Sequence, residues 1–142
     1  MPKMIFVNLP VADVERAARF YAALGATQDP RFSRPGTAAA MVFSDTITVM
    51  LLSHDHFALF APRAIADARA ANEVLLCFSE ESRAAVDASV ERAVAAGGRP
   101  DLRPKQEMGN FLYGRNIEDL DGHVIELMWM DVEAMMKGAP AA

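Results

Sequence analysis

A single cysteine, Cys77, stands among the 142 residues, so no disulfide can close within the chain and no zinc centre can be built on several thiolates. Basic residues are the minority: fourteen Lys plus Arg against nineteen Asp plus Glu leave a net charge of −5. That balance disfavours nucleic acid and anionic membranes as partners, because both are met first through phosphate charge. No run reaches the ~20 apolar residues that a bilayer-spanning helix needs. Met1-Pro2-Lys3 leads straight into a short apolar run without a cleavage site. These absences predict a cytoplasmic protein. What is present is an ordinary globular composition, 52% apolar and 23% charged, sufficient for the core of one domain without a staple.

Two stretches share one layout. In the first, Met4 to Leu9 reads as a strand, Asp13 as a helix N-cap, and Val14, Ala17, Ala18, Tyr21 and Leu24 recur at helical spacing before Gly25. Strands are predicted over Thr27–Phe32, Ala38–Phe43 and Thr46–Ser53, the last two joined at Ser44-Asp45. In the second, Glu73–Phe78 reads as a strand and Ser79 to Ser82 as capping residues. Val86, Val90, Ala93 and Val94 form a helical face that Gly97-Gly98 ends. Asp101–Lys105 is a proline-interrupted strand; Phe111–Ile117 and Val124–Met130 are strong ones around a turn at Asp121-Gly122. Each half thus reads βαβββ, offset by about 68 residues, as duplication of one unit would give. One domain is expected, with units over 4–53 and 73–130, a linker over 54–72 and a tail over 131–142. In the linker, Phe57, Leu59 and Phe60 either close over a ligand or cap the core edge. The tail ends in a frayed stretch, Gly138 to Ala142.

Leu9-Pro10-Val11-Ala12-Asp13-Val14-Glu15-Arg16-Ala17, then Phe20-Tyr21 and Leu24-Gly25, resembles the opening of the vicinal oxygen chelate superfamily, which includes glyoxalase I, bleomycin-resistance proteins and extradiol dioxygenases. Glu118-Asp119-Leu120-Asp121-Gly122-His123 with Ile125-Glu126-Leu127 resembles its final turn and Glu-bearing last strand, with Leu120 in place of the usual proline. The resemblance spans residues 4–130. It implies an α+β fold of two βαβββ units whose curved mixed sheets pair into an open cup or incomplete barrel, helices outside. Some members hold one divalent metal ion there, which grips adjacent substrate oxygens and stabilises a developing oxyanion.

The family's ligand positions, carried over from these motifs, fall on Phe6, on Leu51 with Met50 as the other register, on Glu73 and on Glu126. Phe6 and Leu51 cannot ligate a hard metal, so at most Glu126 and Glu73 remain as metal ligands, and the His-His-Glu set of an iron dioxygenase is absent. Strand parity places Glu126 with Val124, Met128 and Met130, and Phe6 with Asn8. The expected cup therefore carries Glu126 as candidate catalytic residue and a lining of Phe6, Asn8, Met50 and Met128. Tyr113 and Arg115, which share a strand face, either hold an anionic substrate or lie outside. Glu126 is a metal ligand, a metal-free acid/base, or a carboxylate paired with an arginine such as Arg115. Cys77 reads as an inert apolar residue, and His54, His56 and His123 as surface or structural histidines. Two functions compete. One is a small-molecule-binding protein of the bleomycin-resistance kind with a degraded metal site; the other is a metal-dependent glyoxalase-like lyase or isomerase acting on adjacent oxygens. A homodimer is expected in either case.

Overall fold

A computed structural model describes residues 1–138; the frayed end expected at Ala139 to Ala142 lies outside them. The chain forms two compact units, residues 1–71 with 120–122, and residues 72–119 with 123–142. The first follows the βαβββ plan; in the second, two short strands at Arg99–Pro100 and Gln106–Met108 stand where one was expected, and neither sheet closes into a barrel.

The first unit runs β1 (Ile5–Val11), α1 (Val14–Ala23), β2 (Thr27–Arg34), β3 (Ala38–Val42), β4 (Ile47–Ser53) and α2 (His54–Ala58). Its sheet order is β1-β4-β3-β2, with β1 parallel to β4 and the rest antiparallel. Asp13 caps α1 by accepting from the Arg16 N–H at 3.0 Å. Behind that cap Val14, Ala17, Ala18, Phe20 and Tyr21 are buried, and α1 packs on β3 and β4. The sheet offers it Leu9, Val11, Ala39, Met41, Val49 and Leu51, all buried. Phe20 and Tyr21 meet edge to face at 5.3 Å; burying each stabilises the unit by roughly 2–3 kcal/mol. The linker is not patternless at its start, because Ser53 caps α2 by accepting from His56 N at 3.2 Å. Leu59 and Phe60 beyond it stand exposed and do not cap the core.

The second unit runs β5 (Leu76–Ser79), α3 (Arg83–Ala95), β6 (Arg99–Pro100), β7 (Gln106–Met108), β8 (Leu112–Glu118), β9 (Val124–Met130) and α4 (Val132–Gly138). Its order is β5-β9-β8-β6, with β7 pairing β8. The expected strand at Glu73 starts only at Leu76. Its parallel partner β9 begins at Val124 and pairs Leu76 with Ile125, so residues further upstream have no strand to pair with. The strand expected over Asp101–Lys105 is absent. There the Asn116 side chain takes the backbone instead, its Oδ1 accepting from Leu102 N at 2.8 Å and its Nδ2 donating to Arg103 O at 3.2 Å, while Pro104 has no N–H to offer a ladder. On α3 the buried positions are Val86, Ser89, Val90 and Ala93; Val94, expected among them, is exposed, and Ser89 fits because its hydroxyl donates to Glu80 at 2.9 Å.

Candidate functional site

The register of the first sheet decides which residues share its face. Phe6 lies opposite Thr48 and Asn8 opposite Met50, while Leu9 lies opposite Leu51. Phe6, Asn8, Thr48 and Met50 therefore point away from α1, joined by Ala40 and Val42 of β3. Leu51 does not belong here. It is fully buried under α1, and Met50 is the residue that shares the face of Phe6.

On that face lies a cavity of about 620 Å³, lined by Met4, Phe6, Asn8, Phe32, Val42 and Met50 among others. A volume of this order suits a small organic molecule. The lining is mostly apolar, with the Asn8 amide and the Thr48 hydroxyl in its floor and Asp29 and Arg31 at its edge. Arg31 donates from Nε and Nη2 to the two Asp29 carboxylate oxygens at 3.1 and 2.8 Å. These bonds, chiefly the side-chain ones, hold the Asp29 carboxyl below the usual carboxylate range and raise the guanidinium. Sequence reasoning missed Asp29, Arg31 and Phe32. The signal was Pro30 inside a strand pattern, which marks an edge strand or a bulge.

In the second unit Glu126 lies opposite Cys77 on one side and Asn116 on the other, with Met128 two residues along on the same face. It is half-buried. The cysteine thiol is pushed up by partial burial of its sulfur and then by the Glu126 charge, so it stays protonated near neutrality. Gln106, Gly114, Asn116 and Met128 leave a recess at Glu126 with no room for a water molecule. Glu73 is exposed and outside any strand.

Tyr113 and Arg115 lie on the opposite face, with Leu127 and Trp129, against α3. Tyr113 Oη donates to Asp87 at 2.6 Å, and Arg115 bonds Asp87 at 3.0 Å and Asp101 at 3.1 and 2.7 Å. Arg115 is thus the partner of Asp87 and Asp101, not of Glu126. Of the two expected settings for this pair, the one outside the Glu126 face is found. Among the described residues no three His, Cys, Asp or Glu side chains converge as a metal site.

The chain matches the model of the glyoxalase/bleomycin resistance protein/dioxygenase superfamily over residues 3–127. It belongs to that superfamily. A hypothetical protein from S. aureus is 27% identical, with 91% of this chain and 94% of that one covered at a TM-score of 0.73. A lactoylglutathione lyase from Agrobacterium tumefaciens is 21% identical over 90% and 94% of the two chains, TM-score 0.64. The fosfomycin resistance protein FosX from Mesorhizobium loti is 17% identical over 96% and 98%, TM-score 0.66. The last two likenesses show the shared fold. No curated protein matches the chain. No helix among the described residues is long and apolar enough to cross a membrane.

Proposed function

We propose that this superfamily member is a cytoplasmic homodimer that binds a small molecule against the face of β1 and β4, and that its metal site is degraded. The roomy, largely apolar cavity at Phe6, Asn8 and Met50 supports this reading most directly. Phe6 and Met50 occupy positions where the family resemblance implies ligands, and neither offers a donor to a hard cation.

A second reading rests on Glu126. It is a half-buried carboxylate with no side-chain ion pair among the described residues, on the face it shares with Met128. On that reading Glu126 serves a glyoxalase-like lyase or isomerase, moving a proton or, with Glu73, taking a metal ion.

One variant separates the two. On the binding reading, tag-free protein purified without chelator contains substoichiometric metal by emission spectroscopy. Glu126→Gln then melts within about 2 °C of the parent or slightly above it, because no ion pair is lost. Stoichiometric metal that disappears in Glu126→Gln would replace this reading with the lyase. Light scattering at micromolar concentration is expected to give twice the chain mass; a monomer would remove the dimer from the proposal.

A further inference from the structure

The pairing of β2 with β3 shifts register between Asp29 and Arg34. Ser33 closes the gap: its Oγ donates to Asp29 O at 2.7 Å and accepts from Ala40 N at 3.1 Å. Such bulges re-aim side chains beside binding sites. Here Arg31 and Phe32 leave the ladder and stand at the cavity edge, the guanidinium 5.6 Å from the Phe32 ring centroid. Asp29 takes Nε and one Nη2 hydrogen of Arg31, which fixes the plane of the fork. The other edge, Nη1 with the second Nη2 hydrogen, has no partner among the described residues, and it is an edge a second oxyanion can take end-on. Arg31 is the only cation among the described lining residues, beside two carboxylates, Asp29 and Asp45. One guanidinium against two carboxylates leaves one net negative charge, so the edge does not attract anions by net charge: a head group is held through the open side of the Arg31 fork, and each further negative charge on it adds repulsion.

We propose that Arg31 selects the head group of the cavity's ligand, and that this ligand is a singly charged organic anion. Its ring system or chain packs on Phe6, Phe32 and Met50, and its terminal oxyanion group accepts from the free edge of Arg31. The proposal rests on the cavity being the ligand site, and its test keeps the two apart.

The probes are 8-anilinonaphthalene-1-sulfonate and N-phenyl-1-naphthylamine, which share a ring system and differ by the sulfonate. Fluorescence titration of the full chain is expected to give the sulfonate about a tenfold lower Kd than the neutral amine. Arg31→Met should erase that advantage and leave the amine within about twofold; Arg31→Lys, keeping charge without the fork, should fall between. Val42→Phe, which fills the cavity, should abolish both; Met50→Trp replaces it if its melt is not cooperative. Equal affinities in the parent, or an Arg31→Met that weakens both probes alike or neither, overturn the head-group role while a loss of both in Val42→Phe keeps the cavity. Binding of both probes undiminished in the filled cavity, or no binding by the parent, overturns the cavity and the proposal with it.

Discussion

Gly122→Ala is expected to lower the melting temperature by about 10 °C, near 3 kcal/mol for a chain of this length. Gly122 has φ +96, which an L side chain adopts only under strain. A Cβ there would lie 2.6 Å from Arg69 Cγ, 3.0 Å from Arg69 N and 3.2 Å from the Ala68 carbonyl carbon. The side-chain atom could swing away, but the backbone atoms cannot. They belong to a turn in which Arg69 N donates to Asp67 Oδ1 at 3.0 Å while the Arg69 guanidinium donates to Leu120 O at 2.6 Å. Gly36→Ala is the control: φ is +72 there and nothing lies within 4 Å of the added carbon. It pays for the backbone alone, about 1 kcal/mol. Thermal melts of the two variants that agree within a few degrees would show that the 68–69 backbone yields.

Arg115→Met should cost about 3 kcal/mol at neutral pH, because it leaves two carboxylates facing each other where the arginine had joined them. The Arg115 side chain is 13% exposed and its carboxylate partners are 45% (Asp87) and 31% (Asp101), so solvent repairs only part of the loss. The pH dependence follows. The Tyr113 hydroxyl first, then Arg115, holds Asp87 low, and Arg115 holds Asp101 low. Their contribution is complete above the ordinary carboxylate range, near 4, and is lost as pH falls through the lowered folded values. Parent and variant stabilities should therefore converge below about pH 4. At the alkaline end, burial and then the bond to Asp87 push Tyr113 up to about 12. The folded state prefers the neutral phenol, so this stability is present below the unfolded value near 10 and is lost as pH rises from there. Urea melts across pH would check both limbs; a difference between parent and variant that stays constant from neutrality to acid would contradict the assignment.

The elements legible in the sequence are those whose signals lie within a few residues. Asp13 with the apolar spacing of α1, the alternation of β8 and β9, and the turn at Gly122 all have local causes, and the structure has them where expected. What escaped was decided at a distance. The stretch after Pro100 looked like a strand until the Asn116 amide, fourteen residues on, took its N–H groups. Arg115 finds Asp101 across 14 positions and Asp87 across 28, so parity alone could not say which face it served. The choice between Leu51 and Met50 turned on one residue of register, and a slip of one exchanges the faces of a strand. Arg31 was hidden because a bulge interrupts the alternation on which face assignment depends.

The turn that holds Gly122 also bears on how the chain comes off the ribosome. Asp121 Oδ1 accepts from the Ala12 N–H at 2.8 Å, a bond between positions 109 apart, at the end of a strand whose sheet is complete by Ser53. A nascent chain that has reached Ala71 holds every strand of its first unit but none of the acceptors that residues 120–122 bring to Ala12 and Arg69. Closing so long a loop is slow and entropically costly, so these bonds form after translation is nearly finished. Protease resistance of the amino-terminal half should mature late, and a stop codon anywhere between Ala71 and Leu120 weakens a unit whose own strands it leaves untouched.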